Sequence, residues 1–168
     1  MDILQQASHA SGNAGLVRLT SMIACAADGR RQGGIMDSHT RALIAAVTFV
    51  AITGKKAGGL HDHTARRDWR IAAERKDDRI QGFDGDRAAK FGGTLPEIYD
   101  EGDKSFISFE IEGAKVQGYD RGSQCAFSAN VSDGLVQVYD SSAGAWFAYD
   151  VQDPDSAQSY HRGSRQGG

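Results

Sequence analysis

From residue 57 onward, apolar residues recur at every second position in short runs, and each run is punctuated by Asp, Gly or Ser. Period two is the signature of a half-buried strand. An aromatic residue or His followed by Asp recurs within this pattern, at His61-Asp62, Phe83-Asp84, Tyr99-Asp100, Tyr119-Asp120 and Tyr139-Asp140, with Asp spacings of 22, 16, 20 and 20 residues. Let n be the aromatic position. Position n+8 is then Trp69, Phe91, Ile107, Phe127 and Phe147. Position n+10 is Ile71, Gly93, Phe109, Ala129 and Tyr149, and n+12 is Ala73, Leu95, Ile111, Val131 and Val151. Five units align in one register, which identifies an internal repeat.

Each unit reads as two strands. The first ends at the aromatic-Asp pair, a polar turn such as Glu101-Gly102-Asp103 follows, and the second carries n+8, n+10 and n+12 on one face. Between units stand further turn signals, including Ser132-Asp133-Gly134, and Asp-Gly between two strand patterns is a strong hairpin signal. The prediction is an all-β fold: an antiparallel meander of about ten strands, built from five two-strand repeats and curled or closed into a barrel. The n+8 and n+12 side chains are expected to be buried in every unit.

The first strands alternate too. Positions n-1 and n-3 include Ile98, Val138, Ile80, Val116 and Val136, which are expected to face the core. The residues between them point the other way: Gln81, Glu97, Gln117 and Gln137 at n-2, with Phe83, Tyr99, Tyr119 and Tyr139 at n. The second face thus carries a ladder of amide and aromatic side chains on alternate strands, roughly 9–10 Å apart. Aromatic faces beside amides suit sugar rings or a protein partner. Gln81, Phe83, Tyr99, Gln117, Tyr119, Gln137 and Tyr139 are the candidate ligand-binding residues. Self-association is a third use for such a face.

Ahead of the repeats, residues 42–53 read ALIAAVTFVAIT, the one long apolar run. It is too short to cross a bilayer as a helix, which takes about 20 residues. Two roles fit it. One is a buried helix packed on the sheet, covering the ladder. The other is the apolar core of a signal-like segment starting at Met36, although Asp37 and the lack of a small-residue cleavage motif weaken that outline. The first role leaves the protein cytoplasmic; the second sends it out of the cell or into a periplasm. The chain therefore divides into a poorly patterned stretch (1–35, with a helix conceivable over 14–26), an apolar helix or signal-like segment (36–56), the repeats (57–151) and a polar tail (152–168) expected to be disordered.

Charge and chemistry add limits. The net charge is -3, and no basic stripe of the kind nucleic acid needs is present. The two cysteines, Cys25 and Cys125, form no CxxC pair and are expected to stay unbridged, Cys125 as inert packing. His61, Asp62 and His63 have side chains that bind zinc, and would support a metal-dependent hydrolase as the alternative function. The repeat register alone, however, accounts for His61 and Asp62. The recurrent aspartates, with second acids at Asp86 and Asp103, offer oxygen ligands for calcium. The competing role is capping, in which a strand-end Asp accepts backbone N–H bonds of its turn. No nucleophile motif or phosphate loop is present. The reading is a non-enzymatic β-repeat binding or structural domain with no cofactor.

Overall fold

The computed structural model describes residues 34–155. The expected helix within 14–26 and most of the polar tail lie outside the described residues. Among the described residues one helix, α1 (Ser38–Thr53), precedes eleven strands. These are β1 (Gly59–Asp62), β2 (Arg67–Trp69), β3 (Ile71–Lys76), β4 (Arg79–Asp84), β5 (Ala89–Thr94), β6 (Glu97–Asp100), β7 (Ser105–Glu112), β8 (Lys115–Asp120), β9 (Cys125–Ser132), β10 (Leu135–Asp140) and β11 (Ala145–Gln152). All are antiparallel, and each neighbour in the meander follows the last along the chain from β3 to β11.

The sheet is nearly closed. β1 pairs with β11, so the start of the repeats meets their end. The two ends of the sheet order are β2 and β3, which are consecutive in the chain and separated only by Arg70. What period two presents as a single second strand in the first unit is split there: β2 bonds to β1, and β3 bonds to β4. This explains eleven strands where about ten were expected. A single bridge, Ala57 to Ala73, spans the seam.

Closure at this strand number creates a lumen. About eight strands already enclose enough space to be filled by side chains alone, and larger barrels need something more. Here α1 fills it. Every residue from Ala42 to Ala51 is buried, Thr48 included. A helix that is apolar all round belongs inside a core, not on a surface. It packs chiefly against β3, β10, β9, β1, β11 and β4. The expectation of docking is met, but on the opposite face. α1 lies on the aliphatic side of the sheet, against residues such as Ile71, Ile80, Val136 and Val138, and it leaves the ladder uncovered.

Both ends of α1 are tied down. Asp37 caps the N-terminus by accepting from His39 N at 2.8 Å. Gly54 closes the C-terminus at φ 72, and its N–H reaches Val50 O. Arg75 of β3 donates from Nη1 to Ala51 O, a cation at the negative end of the helix. At the positive end, His39, Thr40 and Arg41 reach Asp84, Asp103 and Asp140 in the turns that ring the barrel mouth.

Register explains most of the core. The n+8 residues Trp69, Phe91, Ile107 and Phe127 are buried, and Phe147 is half-buried beneath the Arg41 guanidinium. At n+12 the expectation holds for Ala73 and Val151 and weakens elsewhere: Leu95 and Val131 are half-buried, and Ile111 is 39% exposed. Ile111 stands two residues before Gly113, at the far end of β7, where α1 does not make its main contacts. Cys125 also departs from expectation. It is disulfide-bonded rather than unbridged.

Candidate functional site

With the inner wall filled by α1, chemistry is left to the turns and the outer wall. The turn carboxylates are occupied. Asp62, Asp84, Asp100, Asp120 and Asp140 are all buried. Each accepts backbone N–H bonds two or three residues on: Asp62 from Thr64 and Ala65, Asp84 from Asp86 and Arg87, Asp100 from Gly102, Asp120 from Gly122 and Ser123, Asp140 from Ser142 and Ala143. The residue four places after each Asp, Arg66, Ala88, Lys104, Gln124 or Gly144, has positive φ in every turn. One conformation thus recurs five times, and the Asp holds it.

Several of these carboxylates bond further. Asp140 accepts from Arg41 at 2.7 Å, and Arg87 bridges Asp84, Asp100 and Asp103. Burial pushes the Asp100 carboxyl above the ordinary range, against the opposing pull of the Gly102 N–H and Arg87. Burial also raises the Asp86 carboxyl, but the backbone N–H and side chain of Arg70 outweigh it and leave that group low. These bonds account for the aspartates as structural caps.

The His61, Asp62 and His63 side chains do not converge. Alternation along β1 turns Asp62 inward, where it also accepts from Trp69 Nε1 at 3.2 Å. His61 and His63 stay outside, their rings edge to face at 5.2 Å. Each is held by a carboxylate from a neighbouring strand, His61 by Asp68 at 2.7 Å and His63 by Asp150 at 2.8 Å. Among the described residues no group of three His, Cys, Asp or Glu side chains is placed to hold a metal ion.

The ladder faces outward. Gln81, Gln117 and Gln137 are exposed, Phe83 and Tyr119 are 44% and 43% exposed, and Tyr99 and Tyr139 are half-buried. They stand on β4, β6, β8 and β10. No family model, curated protein or solved structure matches the chain. The ladder's chemistry therefore rests on its own geometry.

That geometry includes two aromatics missed by the repeat reading. Phe106 and Trp146, at n+7, lie directly across from Tyr99 and Tyr139, 4.9 and 5.3 Å between ring centroids. They are 42% and 54% exposed. The available signal was their alternation with the core residues Ile107 and Phe147, but the other units place Asp68, Lys90 and Ala126 there. Arg121 binds Glu97 at 2.5 Å and lies over Phe106 at 5.7 Å. Tyr119, by contrast, has Ser108 and Ala126 as its cross-strand neighbours, and Phe83 has Ala72 and Lys90. The outer wall thus presents two aromatic pairs with tilted rings and two open rings, interleaved with amides.

Proposed function

We propose that the repeat domain is a non-enzymatic binding module that recognises a carbohydrate chain through its outer ladder. The observation that carries this reading is the outward exposure of the Gln and aromatic rows on β4, β8 and β10, while the interior is filled by α1 and the turn carboxylates are spent on their own turns. Open rings give a sugar an apolar face to stack on, and flanking amides both donate to and accept from its hydroxyls. Affinity electrophoresis through gels containing soluble polysaccharides tests it. At least one polysaccharide retards the protein, and the Phe83→Ala, Tyr119→Ala double variant migrates freely while keeping its melting temperature. Unretarded migration of the parent protein in every gel contradicts the reading.

A protein partner is the second reading. It is favoured by the Tyr139–Trp146 pair and by Arg121 over Phe106, because Tyr, Trp and Arg are the residue types that dominate binding energy at protein interfaces.

A further inference from the structure

The ladder is not uniform along its length. At β3, β4 and β5 the outer wall is concave, forming a groove of about 620 Å³ floored by Ala72, Gly82 and Phe83. That volume falls in the range of small-ligand sites. The concavity has a sequence cause. Phe83 has only the methyl of Ala72 on one side, and on the other it has Lys90 where Tyr99 and Tyr139 have Phe106 and Trp146. Gly58 and Pro154 form the far wall at the seam.

Two smaller hollows, about 330 and 300 Å³, continue from it along the outer wall. Gln81 lines all three, and Lys90 lines both the first and the third, which reaches Tyr99. The result is a track from Phe83 to Tyr99, long and shallow rather than deep and round. Such a shape fits a chain of rings better than one compact molecule.

The first groove carries a small excess of cations, Lys56 and Lys90 against Glu74, while the other two hollows add Lys76 and Arg79 against Asp77, Asp78 and Glu101. Lys56 and Lys90 stand on opposite sides of the groove, Lys56 beside the seam and Lys90 on β5 across from Phe83. Lys56 meets Glu74 at 3.9 Å with both side chains about half exposed, a contact that holds little energy. Glu74 is further engaged by Gln81 Nε2 at 2.6 Å. Lys90 has no ion pair among the described residues, nor has Arg79, which lines the second and third hollows. Cations left open around an aromatic floor call for an anion attached to a ring.

We infer that the groove at β3–β5 binds an anionic saccharide, a chain of uronate or similarly charged sugars, with Phe83 stacking on a ring and Lys56 and Lys90 meeting its carboxylates. The inference deepens the carbohydrate reading and rests on it.

Isothermal titration of the full chain with tetragalacturonate, with the neutral cellotetraose and with a short poly-glutamate peptide separates the outcomes. Tetragalacturonate binds, more weakly as salt rises from about 0.05 to about 0.5 M. Lys90→Gln weakens it about ten-fold, the size of one charged hydrogen bond, with an unchanged melting temperature. Phe83→Ala weakens it as well, while Lys115→Gln, an exposed cation that lines none of the three hollows, does not. Equal binding of cellotetraose, insensitive to Lys90→Gln, overturns the anionic assignment and leaves the carbohydrate reading standing. Binding of poly-glutamate alone overturns both in favour of an acidic protein partner, and binding of none of the three overturns the groove as a site.

Discussion

Phe127 of β9 lies directly across from Gly118 of β8, its ring over the space a side chain there would need. A Cβ added to Gly118 would fall 2.2 Å from Phe127 Cζ and 2.2 Å from Ser108 O. Phe91 and Gly82 repeat the arrangement two repeat units earlier, with the added Cβ 2.2 Å from Phe91 Cζ. The large ring on one strand and the missing side chain on the next are thus one packing unit that faces α1. Gly118→Ala is expected to cost about 1–3 kcal/mol, because the backbone oxygen cannot yield as a side chain would. Phe127→Ala is expected to cost about 3–5 kcal/mol. Urea unfolding of both variants checks this. A loss below about 1 kcal/mol for Phe127→Ala would mean the wall is turned inside out.

Asp120 shows the capping role with least interference, since it accepts from Gly122 N, Ser123 N and Ser123 Oγ. Asp120→Asn keeps one acceptor oxygen, and Asp120→Ala keeps none. The expected order of stability is parent, then Asn, then Ala, with each step near the 0.5–2 kcal/mol (about 1) typical of a lost cap. Melting with and without a chelator completes the test: no change is expected, and a large drop would mean the turns hold calcium.

The strands, their faces and their turns were legible because period two and the aromatic-Asp register repeat five times. Tyr119 and Gln117 could be placed on the outer face from alternation alone. The seat of α1 could not. ALIAAVTFVAIT is apolar on every side, so its periodicity names no partner face. What decides is the lumen left when β1 pairs with β11, a property of closure rather than of any segment. The break at Arg70 was hidden for the same reason, since it arises where the two ends of the sheet meet. Phe106 and Trp146 escaped because n+7 is aromatic in only two of five units.

The two tryptophans report on opposite walls. Trp69 is 2% exposed, edge to face with His39, and Trp146 is open to solvent. Acrylamide should quench one emitting population strongly and the other weakly. Trp146→Phe should remove the accessible population alone. Full protection of both tryptophans in the parent protein would show the ladder covered, by another copy or by the rest of the chain.

Zinc should find no site on β1. With Asp62 turned inward and held by Thr64, Ala65 and Trp69, only His61 and His63 remain outside, each engaged by a carboxylate. Equimolar zinc is expected to leave the melting temperature of the dialysed protein unchanged. A rise of several degrees that His63→Ala abolishes would contradict this and restore the metal-dependent reading.

One apolar helix is the core of the barrel, and the outer ladder is left uncovered. The most direct measurement is a thermal melt of the 55–168 fragment beside the intact chain, both with thiols reduced. Without α1 the inner wall, Ile71, Ile80, Phe127, Val136 and Val138 among it, faces an empty lumen. The fragment is expected to show no cooperative transition, together with dye binding or aggregation. A sharp transition as high as that of the intact chain would contradict this, because the strands would then hold their barrel without the helix.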